Sequence, residues 1–197
     1  EEKYRTIIES SPDIIFECTQ GGAFSLMSPS VEKITGYSVD QFYNNHGYGL
    51  SLCHIDDQDR VQREILQVLH GLNDSSMDLE FRIIHKQGKV VWLSLEVLPI
   101  KEGNSIIGIE GFCRDITEKK KLEELKDNLI RDVTHELKTP VAKIEMAVDM
   151  FERSVETGNK STHGRGSHIH EILRNNLNRL KNAINNILYI SKLESGM

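Results

Sequence analysis

The stretch RDVTHELKTPVAKIEMAVDMF, residues 131–151, decides how the second half of the chain folds. Its apolar residues Val133, Leu137, Val141, Ile144, Val148 and Phe151 recur every three or four positions, the period of one α-helical face. Upstream, Leu122, Leu125 and Leu129 continue the same stripe without a break. His135 stands two positions from both Val133 and Leu137, about 200° around a helix from each, so it points away from the stripe toward solvent. Arg131, Lys138 and Thr139 lie at i−4, i+3 and i+4, on or near the face of the histidine, and Glu136 lies beside it. Pro140 has no N–H, so the carbonyl of Glu136 loses its helical partner and a bend is expected just past the histidine.

Downstream, ETGNKSTHGRGSH (156–168) holds three glycines and reads as a loop. A second helix then carries Leu173, Leu177, Leu180, Ile184 and Ile187 at heptad-like spacing. Two long helices joined by a loop make an antiparallel hairpin. Each stripe is too wide for one hairpin to bury. Two hairpins side by side form a four-helix bundle, which predicts a homodimer held mainly by Leu129, Val133, Leu137, Leu177, Leu180 and Ile184.

Upstream of Asp115 the texture is different. DIIFECT (13–19) and AFSLMS (23–28) read as strands separated by QGG. A helix-compatible region follows, ending in DDQDRVQREILQVLHGL (56–72), with Asp56 or Asp57 as the expected cap and Gly71 as the stop. MDLEFRI (77–83) alternates apolar Leu79, Phe81 and Ile83 with polar neighbours, as a half-buried strand does. VVWLSLEVLPI (90–100) and SIIGIEGFCRDI (105–116) complete three strands linked by the turns KQG (86–88) and KEGN (101–104). Two strands, helices, then three hairpin-linked strands predict an α+β domain on a five-stranded antiparallel sheet. The domains are placed at 1–117 and 118–197.

The bulk numbers limit the chemistry. The chain has 197 residues and a formal net charge of −6, which argues against nucleic-acid binding, and no basic cluster supplies a local exception. Cys18, Cys53 and Cys113 are scattered and odd in number, so neither a disulfide framework nor a metal site is expected, and the reducing cytoplasm is the expected compartment. No apolar run reaches the roughly 18 residues that span a bilayer. The chain opens on EEKY rather than methionine and is read as a fragment of a longer protein, whose membrane attachment, if it has one, lies in segments outside this sequence.

An exposed histidine is largely neutral at pH 7 and offers a free ring lone pair. A neighbouring carboxylate can hold the tautomer and take the ring proton when the other nitrogen attacks phosphorus. A threonine hydroxyl one turn away can orient a water for in-line attack on a phosphoryl group.

With these residues in view, THELKTPVAKIEMA resembles the phosphoacceptor box of two-component sensor histidine kinases. LNRLKNAINNILYISKLESG (177–196) resembles that family's second dimerisation helix, and the two together cover a whole dimerisation and histidine-phosphotransfer domain. The resemblance implies that His135 is the phosphoacceptor and Glu136 the acid/base. It makes Thr139 the water-positioning residue of a phosphatase reaction, Pro140 the helix bend and Lys138 a contact for phosphate or regulator. It implies a response-regulator partner, a second copy of the chain, and an ATP-binding domain with ATP and Mg in the parent protein. The elements of that ATP-binding domain are absent from this sequence, so the fragment alone is not expected to phosphorylate itself.

Residues 1–117 resemble a PAS sensor domain through YRTIIESSPDIIFECT, SPSVEKITGYSVDQF, HIDDQDR, EFRIIHKQGKVVW and the exit GIEGFCRDITEKKKLEE. Asp115, Ile116 and Thr117 match the usual junction with a signalling helix. The ligand of such a domain is left unassigned. Phe16, Phe24, Ile34, Phe42, Phe81 and Trp92 are expected to line a pocket or to fill a core. The reactive-cysteine signature of flavin photosensors is missing, His70 is a weak haem candidate against a plain helix-terminal role, and His168 with His170 is read as a solvated loop pair rather than a metal site. Two rival readings stay open: a non-catalytic PAS and coiled-coil interaction module, and a small-ligand or haem sensor.

Overall fold

The structure is a computed structural model that describes residues 2–72, 78–156 and 163–194. The contacts divide the chain into two units, Glu1–Leu122 and Glu123–Met197.

The first unit opens with helix α1 (Glu2–Ser10) and strands β1 (Ile14–Thr19) and β2 (Phe24–Met27). Four helices follow: α2 (Ser30–Thr35), α3 (Val39–Asn44), α4 (Tyr48–Ser51) and α5 (Ile55–Leu69). Strands β3 (Leu79–Ile84), β4 (Val90–Glu102) and β5 (Ser105–Asp115) close it. The sheet order is β2-β1-β5-β4-β3, and every neighbouring pair is antiparallel. The first strand therefore pairs with the last, in register from Ile14 opposite Cys113 to Thr19 opposite Gly108. Gly108 permits that approach, because a β-carbon there would stand 2.4 Å from the carbonyl oxygen of Cys18.

Strand alternation sets the core. Leu79, Phe81 and Ile83 of β3, Val91, Leu93, Leu95 and Val97 of β4, and Ile109 and Cys113 of β5 face inward. They meet Val31, Phe42, Val61 and Val68 from the helices, and together they form one hydrophobic cluster. Alternation also corrects one expectation. With Val91 and Leu93 inward, Trp92 must face outward, and its ring lies under the cations of Arg82 and Lys120 at 5.6 and 5.5 Å.

The cap of α5 differs from the expected Asp56 or Asp57. His54 takes the N-cap position and its Nδ1 accepts from the Asp56 N–H at 3.3 Å. Asp57 is turned inward to Arg82 of β3 instead, accepting from the backbone N–H (2.9 Å), Nε (2.8 Å) and a terminal guanidinium nitrogen (3.0 Å). Those three bonds hold its carboxyl at about 2, below the ordinary 3.8, against the opposing effect of burial. Gly71 follows the helix with φ of 68°, a left-handed conformation suited to a stop.

Helix α6 (Thr117–Glu156) leaves the last strand, and α7 (His163–Glu194) follows. The start of α6 is fastened locally. The Thr117 N–H donates to Asp115 at 2.8 Å, the Thr117 hydroxyl accepts from the Trp92 N–H at 3.0 Å, and Lys120 reaches Glu80 at 2.5 Å. The expected loop 156–168 is shorter than its glycines suggest, since α7 already begins at His163 and takes in Gly164 and Gly166. Residues 157–162 lie outside the described residues. Among the described residues no helix is long and apolar enough to cross a membrane.

Candidate functional site

In the second unit, the apolar stripe of α6 supplies one wall. Val133, Leu137 and Ile144 are half-buried, and Pro140 and Ala147 are buried. From α7, Ile169, Asn176 and Ala183 are buried and Leu180 is half-buried. Residues 132–140 share a groove with 179–183, and 143–150 share one with 172–179, so the helices run antiparallel. The stripe is only partly covered: Leu129, Val148, Phe151, Leu177 and Ile184 remain exposed. Of the six residues expected at a dimer core, Val133, Leu137 and Leu180 pack within one chain while Leu129, Leu177 and Ile184 do not.

The first groove brings the expected residues together. Asp132, His135, Glu136, Thr139 and Pro140 from α6 face Arg179, Asn182 and Ala183 from α7. His135, Glu136, Lys138 and Thr139 are exposed, as the helical phase requires. The Thr139 hydroxyl donates to the carbonyl of His135 at 3.2 Å. Helix α6 continues through Pro140 without a break. Among the described residues no hydrogen bond or ion pair joins the His135 ring to the Glu136 carboxylate. Lys138 is exposed but does not line the groove.

Arg179 and Asn182 are the residues that sequence reading missed. Both belong to the second helix, and only the antiparallel register sets them across from His135. The apolar spacing of α7 carried that register in principle, since Leu180 and Ala183 pack inward and Arg179 and Asn182 flank them. The histidine pair expected in a loop lies instead on α7, where buried Ile169 separates exposed His168 from exposed His170. Two positions apart on a helix, they point to opposite sides.

The first unit encloses a cavity of about 280 Å³. Phe16, Phe24, Phe42 and Phe81 line it and pack in or against the core; Ile34 packs on the core without reaching the cavity, and Trp92 is on the other face of the sheet. Cys18, Cys53 and Cys113, distant in sequence, all line it. Burial pushes the thiols of Cys53 and Cys113 up to about 12, helped by Asp57 beside the first and by Cys53 and Asp13 near the second. Burial also raises the Cys18 thiol. His70 is exposed at the end of α5 and is not among the lining residues, and His54 is spent on the helix cap.

Comparison with known proteins agrees with this division. The PAS fold family matches residues 24–113, and the His Kinase A (phospho-acceptor) domain family matches residues 125–196. No ATP-binding domain is matched in this chain. Two-component system protein A of Emericella nidulans is 21% identical over 99% of this chain and 29% of its own length. The alginate biosynthesis sensor protein KinB of Pseudomonas aeruginosa is 25% identical over all of this chain and 32% of its own length. The chain thus spans about a third of the length of these two relatives. Among solved structures, a sensory box histidine kinase/response regulator from Burkholderia thailandensis superposes with a TM-score of 0.53 at 18% identity, covering 68% of this chain and 98% of that one. A PAS domain from Colwellia psychrerythraea gives 0.51 at 23% identity, covering 59% and 97%. These likenesses support the PAS fold of the first unit. The chain is a PAS fold followed by a histidine kinase A phospho-acceptor domain, homologous to sensor histidine kinases.

Proposed function

We propose that this chain is the signalling core of a sensor histidine kinase, in which His135 carries the phosphoryl group between ATP and a response regulator. The observation that carries the reading is the groove in which exposed His135, Glu136 and Thr139 face Arg179. A ring nitrogen of His135 attacks the γ-phosphorus of ATP, the bond to the ADP oxygen breaks, and the proton on the other ring nitrogen passes to Glu136. ATP and Mg are held by an ATP-binding domain of the parent protein. Arg179, for which no ion pair is formed among the described residues, places positive charge across the groove from the transferred group. A carboxylate oxygen of a regulator aspartate then attacks the phosphorus, the P–N bond breaks, and the imidazole leaves neutral with a proton returned by Glu136.

For the reverse output, Thr139 holds a water. Its hydroxyl proton is committed to the His135 carbonyl, so its oxygen is left as an acceptor, which fixes the orientation of a water attacking phosphorus. Lys138 lies at the edge of the same helix face and serves as a contact for the incoming regulator. Two chains pair through the uncovered stripe of Leu129, Leu177 and Ile184 into a four-helix bundle. The working location is the cytoplasm, where ATP and regulators are found.

The test is phosphoryl labelling of the 197-residue chain. Mixed with ATP, Mg and the ATP-binding domain of a family member, it gains an acid-labile label that His135→Ala abolishes, while alone with ATP it stays unlabelled. Undiminished label on the Ala variant moves the acceptor elsewhere; absence of label with a competent donor domain favours a non-catalytic interaction module.

A further inference from the structure

The groove of His135 holds a polar side chain that phosphoryl transfer does not use. Asn182 of α7 lines it and is exposed, and among the described residues its amide forms no hydrogen bond. Its placement follows from the pairing of the helices. Pro140 and Ala183 are the buried members of the groove, one from each helix. A right-handed helix turns by about 100° per residue, and the sense of that turn, seen from one end, reverses with chain direction. In an antiparallel pair the residues just before two facing ones therefore swing to the same side. Thr139 precedes Pro140 and Asn182 precedes Ala183, so hydroxyl and amide share one flank of the interface.

Thr139 by itself holds only half of an attacking water. Its hydroxyl proton goes to the His135 carbonyl at 3.2 Å, and the oxygen that remains accepts one water proton. A water held by one bond still rotates about it, and its lone pair sweeps past the phosphorus. A second acceptor stops that rotation. Asp132 and Glu136 also line the groove, but a carboxylate there faces the negative oxygens of the phosphoryl group, and like charges repel. Arg179 has donors only. The amide of Asn182 is neutral, offers its carbonyl oxygen to the water and keeps two N–H donors for a phosphoryl oxygen.

We propose that Asn182 is a second water-positioning residue, which together with Thr139 fixes the water that hydrolyses the aspartyl phosphate of the regulator. The inference rests on the water-holding role proposed for Thr139. The water oxygen bonds to phosphorus, the bond between phosphorus and the aspartate oxygen breaks, the aspartate leaves as a carboxylate, and both water protons end on the released phosphate. Asn182 has no part in the attack of His135 on ATP, where the nucleophile is a ring nitrogen and no water is held.

The experiment takes a response regulator that accepts label from His135, loads it with acetyl phosphate, and follows loss of its phosphate with the 197-residue chain present. Asn182→Leu keeps the width of the side chain, removes both hydrogen-bonding functions and favours the helix, so the fold should survive. The maximal rate of dephosphorylation should fall at least about tenfold. The chain concentration at half that rate, and the initial rate of His135 labelling by a donor domain, should stay within about twofold. Asn178→Leu, at an exposed position of α7 outside the groove, should behave like the parent chain. Adding Asn182→Leu to Thr139→Ala should cost little beyond Thr139→Ala alone, because one water needs both groups. The inference fails by itself if Thr139→Ala slows dephosphorylation and Asn182→Leu does not. It also fails if Asn182→Leu slows labelling equally, if Asn178→Leu does the same harm, or if the two losses multiply in the double variant. If no regulator takes the label, if the parent chain does not speed loss of phosphate, or if Thr139→Ala leaves that loss unchanged, the reading of Thr139 falls and this inference falls with it.

Discussion

Replacing Asp57 with asparagine removes one charge from the join between α5 and β3 and leaves the shape of the side chain. The carboxylate is 10% exposed and the Arg82 side chain 27%, so neither charge is well screened by water. The Asp57 carboxyl lies at about 2 instead of 3.8, chiefly because of its hydrogen bonds with the Arg82 side chain. At about 1.4 kcal/mol per pH unit, that difference corresponds to about 2 kcal/mol of stability at neutral pH. The sign follows from linkage. A carboxyl depressed in the folded state stabilises fully above the unfolded value near 4, and the contribution fades as pH falls toward 2. Asp57→Asn should therefore lose about 2 kcal/mol at pH 7, and the gap to the parent chain should shrink to roughly half by pH 3.

The assay exploits the composition of the chain. Trp92 is its single tryptophan and stands within the first unit, beside Arg82. Its fluorescence during urea unfolding reads the stability of that unit without interference from the helical one. A gap below about 0.5 kcal/mol at pH 7 would show that the pair is no stronger than a surface ion pair. An equal gap at pH 7 and pH 3 would mean that the loss came from packing, and either result refutes the electrostatic reasoning.

Other expectations concern the helical unit. Glu136→Ala should slow phosphorylation of His135 by about 10²-fold or more in the presence of the donor domain, measured as initial rate of label; an unchanged rate assigns the proton elsewhere. Thr139→Ala should leave that rate largely intact while slowing loss of phosphate from the phosphorylated regulator, and Thr139→Ser should retain part of the activity; parallel losses in both reactions reject the water-positioning role. Arg179→Ala should lower the labelling rate, with Arg179→Lys intermediate, since lysine keeps the charge and loses the planar fork; equal rates in all three remove Arg179 from the site. Light scattering at micromolar concentration should give twice the monomer mass, and Leu177→Asp with Ile184→Asp should shift it toward monomer; a monomeric parent chain overturns the pairing.

The sheet was legible because its strands carry a period of two and their turns carry glycine. Leu79, Phe81 and Ile83 fixed the inward face of β3, and QG at Gln87 and Gly88 fixed the hairpin to β4. The same rule, applied strictly to β4, would have turned Trp92 outward; size and hydrophobicity drew it into the expected core, and the cations of Arg82 and Lys120 account for its place. The cap of α5 was misread for a related reason. Asp57 has the right chemistry for a cap, but the guanidinium of Arg82 lies 25 positions on, and a local rule does not see it. Convergence of Cys18, Cys53 and Cys113 on one cavity is likewise a product of topology, because β1 and β5 pair across nearly the whole unit.

The exposed face of His135 was legible for the opposite reason, being local. His135, Glu136 and Thr139 lie within one turn or so of a single helix, and the helical period alone sets their common exposure. Arg179 and Asn182 needed the register of a second helix, which apolar spacing constrains only within a turn. Exposure of the stripe sharpens this point. Leu137 and Leu180 are half-buried while Leu177 and Ile184 stand exposed, although all four share one apolar pattern, so the pattern encodes more contact than a single hairpin can satisfy. Under the proposed pairing the exposed apolar residues are the surface that a second chain would cover, and the groove at His135 is lined mostly by polar residues of both helices. Around α6, about 200° separates His135 from its apolar neighbours Val133 and Leu137.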